Sequence, residues 1–370
     1  MEIENNKKNN LCKEFGIIYE KEIAPILKEE ELRRKNKARK FIFCYIFFYL
    51  LITTGLAIPF WIVGMFEREC FFSVISILAS SLGVFIIIWL QISRCEKRFI
   101  VELKKKCLPE ILKYFGQISW CNNEKIISDD ELNASGLFAV YNQRVVDDEF
   151  KGSYSGVDFK ICETDMRYVT GGGRNRNVIP VFRGVVFSFD LNKAIQNRTI
   201  VSTKGDLTQK NEIWMYMLPA ISFVYIFMEK ENLSNWIIWF AFFVMICVAF
   251  IQYYSRLKKT KPLNKVNLED PKFSKKFDVY SSDQIEARFW ITPAFMERFQ
   301  NLKTAFNSKK AKCSFYDNKI MIAIDTNKNV FEIGEMYKSL ENPEAVQEFC
   351  KEISSINELI DYFKIHEKVL

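Results

Sequence analysis

Charged side chains recur every few positions along most of this chain, but four stretches contain none. They form two pairs. Phe41–Phe66 and Phe71–Ser93 are joined by Glu67-Arg68-Glu69-Cys70, and Ile213–Met228 and Trp236–Ser255 by residues 229–235. A helix needs about 20 mostly apolar residues to cross a lipid core. Ile213–Met228 falls short of that, so its crossing, full or re-entrant, stays open. The pattern predicts two helical hairpins in a membrane, 41–93 and 213–255.

The remaining segments are patterned as soluble structure. Over 11–40, Leu11, Phe15, Ile18, Ile23, Ile26 and Leu27 recur at roughly helical spacing. Pro25 either kinks this helix or marks its boundary. A second helix is expected over 94–118, running out of the second apolar stretch. Tyr154–Cys162 and Val181–Asp190 alternate with period two and predict strands, with Gly171–Asn177 as the loop between them. Ser282–Phe306 reads as a helix interrupted near Thr292-Pro293. Ala311–Asp325 reads as a hairpin turning at Asp317-Asn318. Asn342–Phe363 reads as an amphipathic helix capped by Asn342, with Pro343 at its first position.

The fold class expected is therefore an α+β cytoplasmic domain on a membrane anchor of four transmembrane helices. Its segments are an N-terminal helix (1–40), the first hairpin (41–93), a first α+β half (94–212), the second hairpin (213–255) and a second α+β half (256–370). The two halves are expected to fold as one unit.

Composition agrees with a membrane protein that has a large soluble share. The chain is 49% hydrophobic and 26% charged, with a mean hydropathy of -0.05. No cleavable signal peptide is expected, because the first 40 residues are polar and Phe41–Phe66 is too long for a signal core. Basic residues set the orientation. Arg33, Arg34, Lys35, Lys37, Arg39 and Lys40 precede the first stretch. Arg94, Lys97, Arg98, Lys104, Lys105 and Lys106 follow the second. The hairpin tips carry only Arg68 and Lys230. Lys/Arg excess marks the cytoplasmic side, so both termini and both soluble halves are expected in the cytoplasm. The net charge of +7 is read as topology and contact with anionic headgroups. No nucleic-acid surface is expected, since basic residues are not interleaved with aromatics on the soluble part.

Ten cysteines without a CxxC pair and a single histidine, His366, speak against a zinc site. No cofactor or metal is expected. Cys95 and Cys107 are acylation candidates, although unmodified thiols are preferred. Asp283 and Glu286, three apart, are either a carboxylate pair for acid–base or metal chemistry or a helix start with its cap; the cap is preferred. Asp147-Asp148-Glu149 either collects a cation or forms a solvated loop, the loop being preferred. Gly171-Gly172-Gly173 with Arg174 and Arg176 either cradles a phosphate or simply connects strands, the connector being preferred. The glycines are not followed by Lys-Ser/Thr, so this is no P-loop. Asp283, Glu286, Arg288, Arg174 and Arg176 are the candidate ligand contacts, and no catalytic residue is assigned.

Three groups of residues carry a resemblance. These are Val266–Phe273 (VNLEDPKF), Phe277–Arg288 (FDVYSSDQIEAR) and Ile291–Arg298 (ITPAFMER). Glu22–Pro25, Tyr154–Asp158, Val181–Gly184 with Phe187, Phe315–Ile324 and Phe331-Glu332 fit as well. Together they resemble a bacterial family known only as domain of unknown function three-one-three-seven. That family's usual pattern has one N-terminal hairpin, so 213–255 looks like an additional one. The resemblance implies an architecture but no activity.

The apolar stretches hold Thr53, Thr54, Ser73, Ser76, Ser80, Ser81, Gln91 and Gln252 but no ionisable group, which speaks against transport. The preferred function is a membrane-anchored cytoplasmic binding, scaffold or sensing module of a bacterial inner membrane. A channel or effector gated by its cytoplasmic domain is one alternative. An enzyme on lipid or a nucleotide is the other, and an enzymatic role is the lesser reading. The expected partners are the bilayer, a second copy of the chain, and an unidentified cytoplasmic protein or small ligand.

Overall fold

A computed structural model describes residues 19–66, 70–115, 117–122, 124–154, 156–191, 193–206, 263–341 and 344–368, with a few helical positions between 243 and 251. The expectations for Leu11–Ile18, for almost all of the second hairpin, and for Asn342 and Pro343 lie outside these residues. The chain divides into two compact units. One is residues 1–114 with 332–349, and the other is 115–331 with 350–370.

The first unit is built on two long helices. A π-helical turn, Tyr19–Ile23, leads into α1, Ala24–Phe66. Pro25 therefore stands in the first turn, where its missing N–H costs nothing. Helix α2 spans Cys70–Leu112, and Lys113–Phe115 is a 3-10 turn rather than the further helix expected to 118. Each helix has 43 residues, about 65 Å at about 1.5 Å per residue. There is no break at 40 or at 93: the polar and apolar portions are one continuous helix. Tyr114 donates to Glu22 at 2.6 Å, Lys37 meets Glu102 at 3.1 Å, and the Tyr45 and Phe85 rings lie 6.2 Å apart. These pairings make the two helices antiparallel neighbours.

Exposure along this pair changes from one end to the other. At the polar end, Ile23, Leu27, Phe99, Leu103 and Ile111 are buried. At the apolar end, Phe43 is 70% exposed, and Ile42, Phe48, Leu50, Ile87 and Trp89 are exposed as well. Among the described residues, one helix, over Tyr19–Gly55, is long and apolar enough to cross a membrane by length and composition.

The second unit holds nine described strands in one sheet. They are β1 (Gln117–Asn122), β2 (Gln143–Tyr154), β3 (Val157–Thr170), β4 (Asn177–Asp190), β5 (Thr199–Thr203), β6 (Asn264–Lys265), β7 (Phe277–Ser281), β8 (Lys310–Tyr316) and β9 (Lys319–Asp325). The order is β1-β2-β3-β4-β9-β8-β5-β7-β6, and every pairing is antiparallel. Strands from before and after residues 207–262 interleave, with β5 between β8 and β7.

Two faces of this sheet are covered. Val185, Phe187 and Phe189 of β4 oppose Ile324, Ile322 and Ile320 of β9 on one face. There Phe306 and Phe315 pack, together with Trp290 and Phe295 from the helices α5 (Gln284–Trp290) and α6 (Pro293–Ala305). On the other face Cys162, Met166, Phe182, Val186, Ile200, Met321 and Ala323 form a second core, under α3 (Asp129–Ser135). A short helix α4 (Pro271–Lys276) precedes β7, and α7 (Glu344–Lys368) closes the chain. Between β8 and β9 the turn residues Asp317 and Asn318 have φ of 44° and 61°, the left-handed pair that a two-residue hairpin turn demands.

Candidate functional site

Asp283 is the N-cap of α5, its carboxylate accepting from the backbone N–H of Ile285 at 2.8 Å and of Glu286 at 3.4 Å. Glu286 accepts from the Gln196 backbone N–H at 2.9 Å. The two carboxylates are thus engaged with different backbone segments and do not form an acid–base pair. Arg288 is exposed. Beside them the Lys193 ammonium lies 4.3 Å from the centre of the Phe289 ring. Arg174 sits in the 3-10 turn Gly173–Asn175 between β3 and β4, its side chain outside the described set, while Arg176 is exposed and reaches Gln143 at 3.4 Å. The structure therefore does not gather the five candidates into one place. His366 belongs to α7, its side chain outside the described set.

Asp147-Asp148-Glu149 corrects the expectation of a solvated loop. The run lies inside β2, where the pairing with β3 shifts between Val146 and Glu149, a bulge that lets charged residues turn inward. Asp148 accepts from the Trp120 indole N–H at 2.8 Å. Glu149 is fully buried and accepts from the backbone N–H groups of Glu124, Lys125 and Ile126 at 2.6, 2.9 and 2.8 Å. Its oxygens organise a loop, with Lys125 at φ 53°, and are not free for a cation.

Two further polar clusters fasten α3. Glu131 takes hydrogen bonds from Ser188 of β4 and, at 3.1 Å, Lys160 of β3, while Lys319 of β9 stands 3.4 Å away and also meets Asp190 at 2.9 Å. Burial pushes the Glu131 carboxyl up, but its donors outweigh that and hold it below its ordinary value. The Arg144 guanidinium donates to Ile127 O at 2.8 Å and to Asp129 at 3.0 Å, with the Cys162 thiol 3.4 Å away. Burial lifts that thiol to about 12. A nucleophile needs the opposite shift.

In the first unit the segment 332–341 is tied to the helix pair. The Glu31 carboxylate, 1% exposed, accepts from Arg34 Nε and Nη2, each at 2.7 Å, and from the Leu340 backbone N–H at 3.0 Å. Arg34 also donates to Met336 O at 2.8 Å, and the buried Lys104 meets Glu332 at 3.0 Å. The Arg34 hydrogen bonds, opposed by burial and helped by Leu340 and Lys35, hold the Glu31 carboxyl down at about 2. Cys107 is buried here, and burial lifts its thiol to about 12, which makes it a poor acylation site; Cys95 is half-buried.

Two grooves remain. In the second unit a groove of about 370 Å³ is lined by Lys265, Val266, Leu268, Glu269, Ser274 and Asp278, among others. It lies beside β7, where β6 pairs with Tyr280 and Ser281 and the Val266 N–H donates to Val279 O at 2.8 Å. Lys265 meets Asp278 across it at 2.9 Å, a hydrogen bond that raises the Lys265 ammonium. In the first unit a groove of about 330 Å³ runs along the inner faces of α1 and α2.

These features define an α+β protein with one large antiparallel sheet and, among the described residues, one helix long and apolar enough to cross a membrane by length and composition. The chain matches, over residues 180–365, the family described as a protein of unknown function (DUF3137), and it belongs to that family. Glu22–Pro25 and Tyr154–Asp158 lie outside the matched residues. No curated protein and no solved structure matches the chain.

Several residues of the recognisable blocks have a structural role. Asp270 caps α4 ahead of Pro271, and Thr292 caps α6 ahead of Pro293. Gly184 has φ 151°, and a Cβ there would collide with Ile324 O. Sequence reasoning missed the fastening roles of Glu31, Glu149 and Arg144, because the segments they hold, at Leu340, 124–126 and Ile127, are reached through backbone groups.

Proposed function

We propose that this chain is a membrane-anchored binding module. Its apolar stretches form four transmembrane helices in two hairpins, and both termini and the sheet lie on the cytoplasmic side of a bacterial inner membrane. The observation that carries this reading is the change of exposure along α1 and α2. One helix pair buries Ile23, Leu27, Phe99 and Leu103 at one end and exposes Ile42, Phe43, Phe48, Ile87 and Trp89 at the other. An exposed apolar surface of that kind calls for a partner, and a bilayer supplies it over the length that about 20 residues span.

Two points favour binding over transport or catalysis. The Thr53 and Thr54 hydroxyls bond back to Tyr49 O and Leu50 O, at 2.8 and 2.7 Å, so they are satisfied within their own helix instead of lining a path. The buried Glu149 and Glu31 and the half-buried Glu131 and Arg144 act as fasteners. The groove beside β7, inside residues 180–365, is the place for a small ligand or partner segment.

Reporter fusions test the topology. A reporter active only outside the cytoplasmic membrane is expected to be silent when fused after Leu370 or near Gly172, and active at Glu231. The opposite pattern would overturn the orientation, and a silent Glu231 fusion would remove the second hairpin.

A further inference from the structure

We propose that the groove between α1 and α2 binds an anionic glycerophospholipid. Its phosphate bridges Arg39 and Lys97, and an acyl chain lies along Phe41, Tyr45, Phe85 and Trp89. The proposal rests on the membrane reading above and adds a defined site to it.

The groove has the polarity of an amphiphile. Its lining runs from Glu96 and Tyr337 at the polar end of the helix pair to Phe41, Tyr45, Phe85 and Trp89 at the apolar end. About 330 Å³ is enough for part of a lipid, within the usual range for small-molecule pockets. Tyr45 and Phe85 meet edge to face at 6.2 Å and close the apolar end. Aromatic residues at this depth match the headgroup level of a bilayer.

The charges on the two flanks of the helix pair differ. One residue of helix turns about 100°. Lys37, one position before the lining residue Ala38, swings to one flank and meets Glu102 at 3.1 Å. Arg39, one position after Ala38, swings to the other flank. Lys97, one position after the lining residue Glu96, swings to that same flank because α2 runs antiparallel. The register set by Tyr114–Glu22, Lys106–Glu30 and Tyr45–Phe85 puts Arg39 and Lys97 level with each other. Deeper in the soluble end the basic residues are paired: Arg33 with Glu29, Arg34 and Lys35 with Glu31, Lys106 with Glu30. Arg39 and Lys97 are exposed, and among the described residues neither has an acidic partner. Arg39 and Lys97 flank the groove outside its lining, whose one charged residue is Glu96; the two cations outnumber that carboxylate and complement a phosphate carried on an acyl chain.

The test uses the 370-residue chain. Alkaline carbonate extraction comes first: a chain released into the supernatant would overturn the membrane reading and the lipid site together. With the chain retained, native mass spectrometry from detergent holding equimolar phosphatidylglycerol and phosphatidylcholine reads the preference. Wild type is expected to retain phosphatidylglycerol selectively. R39Q/K97Q is expected to lower that preference at least about fivefold, with an unchanged circular dichroism spectrum. R39K/K97R is expected to keep it. K40Q/R98Q removes the same charge away from the groove and is expected to keep it too. Equal retention of both lipids by wild type, or equal loss in the two glutamine pairs, would overturn the site while leaving the anchor standing. Release of the lipid by millimolar inorganic phosphate alone would also overturn it, in favour of a free-anion site.

Discussion

The helix pair and the sheet solve the problem of buried charge in the same way but treat apolar surface differently. Glu31 in the helix pair and Glu149 in the sheet are both almost wholly buried; Glu31 is satisfied by the Arg34 guanidinium and the Leu340 backbone N–H, Glu149 by three backbone N–H groups. Such anchors fix distant segments: residues 332–341 in one unit and 124–126 in the other. The sheet covers its central strands on both faces with Phe306, Trp290 and Phe295 on one side and α3 on the other. The helix pair leaves Phe43, Phe48 and Ile87 uncovered. The sheet's core is thus closed on both faces, whereas the helix pair is closed only at its polar end. The bilayer reading follows from that contrast.

The largest expected effect is in the sheet. G184V forces a side chain into Ile324 O at φ 151° and is expected to cost at least about 4 kcal/mol. Loss of the soluble core's cooperative unfolding transition, with the chain still pelleting with membranes, would sharpen the contrast between the two regions. E149A leaves three backbone N–H groups unpaired. It is expected to cost about 3 kcal/mol, read as a drop of roughly 6–12 °C in the thermal midpoint. A midpoint unchanged within a degree would mean that the carboxylate is not the anchor of that loop.

In the helix pair, E31Q is expected to cost about 2 kcal/mol and to speed hydrogen exchange selectively at the amides of 332–341. The pH dependence has a definite sign. The folded carboxyl sits at about 2, below its ordinary value, so its contribution is present above about 4.5 and is lost as pH falls from there toward about 2. Wild-type exchange at Leu340 is expected to rise across that window and E31Q to be flat. Parallel curves would remove Glu31 as the fastener. The smallest effect is expected from D283A, which removes a helix cap and costs about 1 kcal/mol. If it abolishes ligand binding while stability holds, the carboxylate belongs to a site and not to a cap.

Local rules made part of this fold legible. Asp317-Asn318 marks the β8–β9 turn, Thr292-Pro293 separates α5 from α6, and alternation in Val181–Asp190 marks β4; alternation in Tyr154–Cys162 marks the start of β3 but runs across a turn, since Tyr154 ends β2 and Gly156 has φ 85°. Strands β5 and β7 were not legible. Thr199–Thr203 and Phe277–Ser281 are short and covered on both faces, so neither alternates, and their neighbours come from across residues 207–262. Strand β2 hid behind its bulge, because Asp147-Asp148-Glu149 looks like a loop unless the inward turn is known. The capping role of Asp283 could be read from Ser281–Glu286 alone. The fastening roles of Glu31 and Glu149 could not, since the groups they fasten, the Leu340 N–H and the N–H groups of 124–126, are backbone that sequence does not distinguish. The groove between α1 and α2 escaped for a related reason: its flanks appear only once the helices' register is known.

The central claim is that the outer part of α1 and α2 lies in lipid while the inner part does not. Photo-crosslinking from a phospholipid carrying its reactive group in the acyl chain, mapped by mass spectrometry on the chain in proteoliposomes, tests it most directly. The account predicts adducts at 41–50 and 82–90 and none at 24–34 or 99–112. Adducts spread evenly along both helices, or confined to 24–34 and 99–112, would contradict it.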